Sequence, residues 1–260
     1  MEGETILVIS PHADDATIYC GGYIQLAVRK NKRVVVVRVT DDDQDGVEPT
    51  VEQNVLTNRK ECEEAYSILG ASETVHLGYH SDFLMNVDFY ELRERFIRLL
   101  RRYRPAETLC FGLDGRGEEN PDHIVVATAF SDAVWAAGFT LHCPEQIAEG
   151  LTPYLVPKRI SYYRNPADIN LPVDISEVMQ VKIKALRAQS NVMSNMLAQI
   201  RLKAACMGIT SELFDAPQDT LVEMLITVQS QEWGRSFSLA CAELFKLETD
   251  SIMGVLQKML

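Results

Sequence analysis

Residues 6–22 read ILVISPHADDATIYCGG. An apolar run that opens at Thr5 stops at Ser10-Pro11 and meets one histidine, His12, and two adjacent aspartates, Asp14 and Asp15. Buried strands ordinarily end in turn formers, and neighbouring carboxylates repel one another. A cation between them removes the conflict, so the stretch points to a metal ion. Gly21 and Gly22 do not form a G-x-G-x-x-G fingerprint and are expected to let the first helix pack closely.

Outward from this stretch the same design repeats. Unalternating apolar runs at 5–10, 33–40 and 108–113 suit strands covered on both faces, with weaker strand signals at 74–79 and 159–164. Helical patterns lie between them at 16–30, 52–69 before Gly70, 88–104 before Pro105, and 122–137 before Gly138. The alternation predicts an α/β fold, a Rossmann-like three-layer arrangement of a mostly parallel sheet between helices. The core is expected over 1–172. From 173 to 260 the chain reads as a mostly helical extension of the same single domain, with no repeat or linker. In such folds ligands bind at the carboxyl ends of the strands. SPHADD, TDDDQDG and GLDGRGEENPDH all fall there.

Composition narrows the partners. The 260 residues carry a formal net charge of −12, which argues against nucleic acid or an anionic membrane surface. No apolar run approaches the length of a membrane-spanning helix, and the first residues lack signal-peptide character. The six cysteines (20, 62, 110, 143, 206 and 241) are scattered without a C-x-x-C pair, as expected of reduced core thiols in a cytoplasmic protein.

His12 and Asp15, three apart beyond the first strand, have the spacing to reach one ion at zinc-like bond lengths of about 2.0–2.2 Å. Asp14 is then left beside the ion, where a hydrolase needs a general base. The alternative is that His12 caps a turn and Asp15 caps the following helix. The stretch EENPDHIVVATAF, at 118–130, favours the metal: His123 on the first turn of a helix completes a His-Asp-His set. Asp122 beside it is a candidate partner to fix an imidazole's tautomer.

Together these residues resemble the PIG-L-like (LmbE-like) family of zinc-dependent N-deacetylases. Members carry P/A-H-P-D-D after the first strand and H-x-D-H further on. Here the motifs stand as Pro11-His12-Ala13-Asp14-Asp15 and Asn120-Pro121-Asp122-His123. NRKECEEAYSILGASETVHLGYHSDFL (58–84) and PVDISEVMQVKIKALRAQS (172–190) resemble further family segments, so the likeness spans nearly the whole chain. It implies one Zn2+ per chain on His12, Asp15 and His123, a donor set that Fe2+ also suits. It implies Asp14 as general base, with Arg59 and Asp82 holding a polar substrate. It implies hydrolysis of an acetamide on an N-acetylated amino sugar or glycoside, and an oligomer of identical chains.

The chain departs from the family at two histidines. Asn120 stands for the first histidine of H-x-D-H, and Gln189 for one expected in the C-terminal helices. An amide donates a hydrogen bond but transfers no proton, so Asn120 keeps only part of a catalytic role. His80, in GYHSDF, is the candidate replacement acid and substrate contact, with a plain exposed loop histidine as the alternative. The acidic loop Asp41, Asp42, Asp43 and Asp45 is expected to be solvated, with a second cation site as the alternative. Two other functions compete: a non-catalytic relative that binds or assembles, and a nucleotide-binding protein, which the absent phosphate loop disfavours.

Overall fold

The computed structural model describes residues 3–113, 118–163 and 168–248. Five parallel strands form the centre: β1 (Thr5–Ser10), β2 (Arg33–Thr40), β3 (Glu73–Tyr79), β4 (Glu107–Phe111) and β5 (Lys158–Tyr162). Two more complete a seven-stranded sheet: β6 (Leu171–Asp174) and β7 (Ala242–Leu247). The order is β3-β2-β1-β4-β5-β7-β6, with β7 antiparallel to both its neighbours. The sheet is therefore mostly parallel and flanked by helices, as the sequence predicts.

The apolar runs are continuous because each strand faces two cores. Ile6, Val8, Val34 and Val36 pack under α1 (Asp15–Arg29), α2 (Val51–Leu69) and α6 (Met179–Ala188). Leu7, Ile9, Val35 and Val37 pack under α3 (Phe89–Tyr103) and α4 (Pro121–Ala136). A short α5 (Pro144–Ala148) and two further helices, α7 (Ser190–Cys206) and α8 (Gln218–Arg235), complete the described set. Helix ends obey local chemistry: Thr50 caps α2, Gly70 ends it at φ 83°, and Asp88 caps α3.

The C-terminal segment carries α6, α7 and α8, and it also contributes two strands that its mostly helical reading did not include. It opens on β6, and β7 inserts between β5 and β6. The device that holds β7 is Glu243, whose carboxylate accepts the main-chain N–H groups of Gly22 and Tyr23, both at 2.8 Å, and the Lys182 ammonium at 2.7 Å. A Cβ at Gly22 would lie 2.4 Å from Ile175 and 3.1 Å from that carboxylate, which is why glycine stands there. Of the six cysteines five are buried and Cys206 is exposed; all are free thiols. The expected strand at 159–164 ends at Tyr162, and its residue 164, like loop residues 114–117, lies outside the described residues.

The sheet order reverses between β1 and β4: β2 and β3 follow on one side, β4 and β5 on the other. At such a reversal the two connections diverge, and open α/β sheets bind ligands beyond the strand ends there. His12 follows β1 and His123 follows β4, so both stand at this reversal.

Candidate metal centre and active site

The loop after β1 is fixed from several sides. Ser10 Oγ donates to the His12 carbonyl at 2.5 Å and accepts the Ala16 N–H at 3.0 Å. Asp15 Oδ2 accepts the His12 N–H at 2.8 Å. The Ala13 N–H reaches Asp42 Oδ2 at 3.1 Å, and the Ala13 carbonyl accepts Tyr66 Oη at 2.7 Å and Gln189 Nε2 at 2.5 Å. Asp42 is itself clamped by Arg38, Nε at 2.7 Å. Asp14 is the residue before α1 but makes no side-chain cap. Neither arm of the capping alternative holds.

His123 comes from the first turn of α4. Asn120 caps that helix, its Oδ1 accepting the Asp122 N–H at 2.8 Å, and Pro121 presets the first turn. The His123 ring stacks on Phe111 of β4, centroids 4.1 Å apart. His12, Asp15 and His123 thus converge. Nδ1 of His12 lies 3.0 Å from Nε2 of His123, and Oδ2 of Asp15 lies 3.3 Å from each. A tetrahedral zinc centre with bonds of about 2.0–2.1 Å has ligand–ligand edges of about 3.3–3.4 Å. Two edges of the donor triangle match that length, and the edge between the imidazoles is shorter at 3.0 Å.

Both imidazoles also have a carboxylate at the far nitrogen. His12 Nε2 approaches Asp122 Oδ2 at 3.4 Å, and His123 Nδ1 approaches Glu118 Oε2 at 3.0 Å, neither aligned as a full hydrogen bond. Such outer carboxylates fix ring orientation in metal sites. Electrostatics agree. Burial lowers the basicity of His12, but Asp122 and Asp15 outweigh it and favour its cation. His123 is likewise pushed up to about 9, Asp15 and Glu118 prevailing over burial. Burial raises the Asp15 carboxyl, yet His123 and His12 hold it well below the usual range. Two protonated imidazoles would point N–H groups at each other across 3.0 Å; one shared metal cation satisfies all three donors.

Asp14 differs in kind. Its carboxylate has no hydrogen bond or ion pair among the described residues, and it remains partly exposed. Burial, then repulsion from Asp15 and Asp45, pushes it up to about 8. Asp122 is fully buried and accepts the N–H groups of Asp82 at 2.7 Å and Leu84 at 3.1 Å. Asn120 Nδ2 donates to Asp82 Oδ1 at 3.2 Å, so Asn120 works here as a helix cap and loop tie.

Two expected substrate contacts stand apart from the trio. Arg59 is exposed on α2 and pairs with Glu63 at 3.2 Å. Its neighbour Asn58 turns inward, donating from Nδ2 to the carbonyls of Asp42 at 2.8 Å and Asp45 at 2.6 Å. His80 is exposed at the end of β3, and its Nδ1 meets the buried Asp43 Oδ2 at 3.0 Å. Burial opposes ionisation of Asp43, but His80 and the Ser81 N–H and Oγ hold it down to about 2.

The acidic loop is not simply solvated. Asp42 and Asp43 are buried, and the four aspartates do not gather as one set among the described residues. The residue that sequence reasoning left without a role is Asp45. Its carboxylate, that of Asp42 and a His12 nitrogen lie within 4.8 Å of one another. Burial and the like charges of Asp42, Asp82 and Asp15 push Asp45 up to about 6.

Residues 7–134, which include both motifs, match the PIG-L family, GlcNAc-PI de-N-acetylase. The chain is 29% identical over 188 residues to the diacetylchitobiose deacetylase of Thermococcus kodakarensis, covering 72% of this chain and 69% of that protein. It superposes with a TM-score of 0.79 on N,N'-diacetylchitobiose deacetylase from Pyrococcus horikoshii, at 20% identity over 98% of this chain and 86% of the other. It superposes with a TM-score of 0.70 on GalB, the 4-carboxy-2-hydroxymuconate hydratase of Pseudomonas putida, at 17% identity over 96% and 98% of the chains. Deacetylase and hydratase share this fold, so a PIG-L-like architecture alone does not choose the chemistry; the site must.

Proposed function

We propose that the protein hydrolyses the acetamide of an N-acetylated amino sugar or glycoside, releasing acetate and a free amine. One observation carries the reading: three donors 3.0–3.3 Å apart lie beside Asp14, whose carboxylate has no hydrogen-bond or ion-pair partner among the described residues. The family match and the named activity of the 29% identical relative support it.

His12 through Nδ1, His123 through Nε2 and Asp15 through Oδ2 would hold the metal. When bound, Zn2+ supplies Lewis acidity toward the acetamide carbonyl and lowers the pKa of water. Asp122 and Glu118 keep the two rings turned so that these nitrogens face inward. Asp14 takes a proton at its carboxylate from the attacking water. As the C–N bond breaks, the same carboxyl returns the proton to the leaving nitrogen. Asp14 serves in both directions because Asn120 and Gln189, the amides at the family's histidine positions, transfer no proton and are engaged as cap and loop tie. His80, oriented by Asp43, stands at the rim, where the remainder of the substrate would lie.

The test is acetate release from a panel that includes N-acetylglucosamine and N,N'-diacetylchitobiose, with and without added zinc. Asp14→Asn is expected to abolish turnover and leave zinc bound. Full turnover by Asp14→Asn would remove this mechanism. The engagement of Asn120 and Gln189 also favours a second reading, a metal-binding relative without catalysis. Its signature is silence across the panel from zinc-loaded protein.

A further inference from the structure

Amide hydrolysis at neutral pH ends with an ammonium group inside the site. Beside two imidazoles and a divalent cation that group is repelled unless a carboxylate receives it. Most carboxylates nearby are already committed. Asp15 belongs to the donor triangle, and Asp14, its proton returned to the nitrogen, has the next water to receive. Asp122 accepts two main-chain N–H groups, and Asp42 is bound by Arg38, Thr40 and the Ala13 N–H. Asp82 is exposed and takes Asn120 Nδ2.

Asp45 remains. Its Oδ1 accepts Asn195 Nδ2 at 3.0 Å, while Oδ2 has no partner among the described residues and keeps contact with solvent. No lysine or arginine among the described residues pairs with it. Its position is built. Asn58 Nδ2 holds the Asp45 carbonyl, and Asn58 Oδ1 accepts Asn191 Nδ2 at 2.8 Å. Asn191 also reaches Asn54 Oδ1 at 3.2 Å and accepts the Val47 N–H at 2.9 Å. All three asparagines are buried. A Cβ on Gly46 would lie 2.3 Å from Asn54 Oδ1 and 2.4 Å from Asn191 Nδ2, so the clasp closes only over glycine.

We propose that Asp45 is the nitrogen-binding residue of the site: its free oxygen accepts the scissile amide N–H and then pairs with the ammonium of the product. This rests on the deacetylase reading. It makes the preferred ligand amine-bearing, and it gives the start of α7 a task, holding this carboxylate beside His12 through Asn191 and Asn195.

The experiment measures product inhibition with glucosamine and with acetate, in the zinc-loaded wild type and in Asp45→Asn. The wild type is expected to bind glucosamine at least ten times more tightly than neutral glucose. Asp45→Asn is expected to lose that preference, raise KM, and leave acetate inhibition and zinc content within twofold. Glucosamine inhibition unchanged in Asp45→Asn, with acetate release intact, overturns the assignment alone. A wild type that releases no acetate removes the deacetylase reading and this assignment with it. Should Asp45→Asn fail to fold, the wild-type comparison still decides: equal inhibition by glucose and glucosamine refutes it. A third variant, Asn195→Ala, keeps the charge and is expected to retain most of the amine preference.

Discussion

Asp122→Asn changes one atom in a carboxylate that takes part in three relations at once. Asp122 accepts the Asp82 N–H at 2.7 Å on Oδ2 and the Leu84 N–H at 3.1 Å on Oδ1, and Oδ2 lies 3.4 Å from His12 Nε2. An amide keeps one acceptor. Whichever way it turns, its NH2 faces a main-chain N–H, leaving a donor unpaired on each side. The site is fully buried, so water cannot repair the clash. Each unsatisfied buried group costs about 1–3 kcal/mol, and the two donors left facing each other set the expected loss of folding stability at roughly 2–6 kcal/mol. His12 in addition loses the carboxylate at its far nitrogen. Loss of such an outer partner weakens metal affinity by about 10–100-fold, or roughly 1.4–2.7 kcal/mol. Competition with a chromogenic chelator measures the affinity, and urea unfolding of metal-free protein measures stability separately. Zinc affinity within twofold of the wild type would refute the argument that Asp122 orients His12. Unchanged urea stability would refute the hydrogen-bond argument.

Two other perturbations probe the frame around the site. Lys182→Met leaves the Glu243 carboxylate buried with main-chain partners but no counter-charge; both side chains are fully buried. The expected loss is about 3–5 kcal/mol by urea unfolding, and a loss under 1 kcal/mol would show the pair to be dispensable. Glu107 supplies a pH test. Burial raises its carboxyl, but Lys32, Tyr23 and Lys158 prevail and bring it down to about 2. A depressed carboxyl stabilises the fold above its unfolded value near 4.5 and loses that contribution as pH falls through 2. Glu107→Gln should therefore cost about 1–2 kcal/mol at pH 7, allowing for solvent screening, and progressively less between pH 4.5 and 2. A difference independent of pH would contradict it.

The parts of the fold that sequence shows are those set by local burial. Strands β1 and β2 fall where their apolar runs are, because both faces of each are covered. Strand β7 escapes, since AELFKL places Glu243 and Lys246 in a short segment that resembles helix. Its buried Glu243 is held by Lys182, some sixty residues away, and by the N–H groups of Gly22 and Tyr23, pairings no local pattern records. His12, Asp15 and His123 are legible as spaced donors at strand ends. Glu118 and Asp45 are not, because their roles depend on how loops fold back. Asn58 was within reach: Asn54, Asn58, Cys62, Ala65, Tyr66 and Leu69 recur at helical spacing along the buried face of α2, and that phase turns Arg59 outward.

On the proposed mechanism the adjacent aspartates divide one chemistry into two tasks. Asp14 and Asp15 share a turn, yet their surroundings drive them apart. Asp15 lies between two imidazoles and accepts the His12 N–H, so its negative charge is matched. Among the described residues Asp14 receives no donor; it is buried and feels Asp15 and Asp45 as like charges, which pushes its carboxyl up to about 8. Environments that separate two carboxyls in this way sort them into a charged holder and a proton carrier. A divalent cation in the donor triangle would draw the Asp14 value downward, toward the range where a base can both take a proton from water and return it. Mutual repulsion is thus no defect of the DD pair. It keeps Asp14 basic, provided Asp15 is committed elsewhere, and the geometry around His12 and His123 commits it.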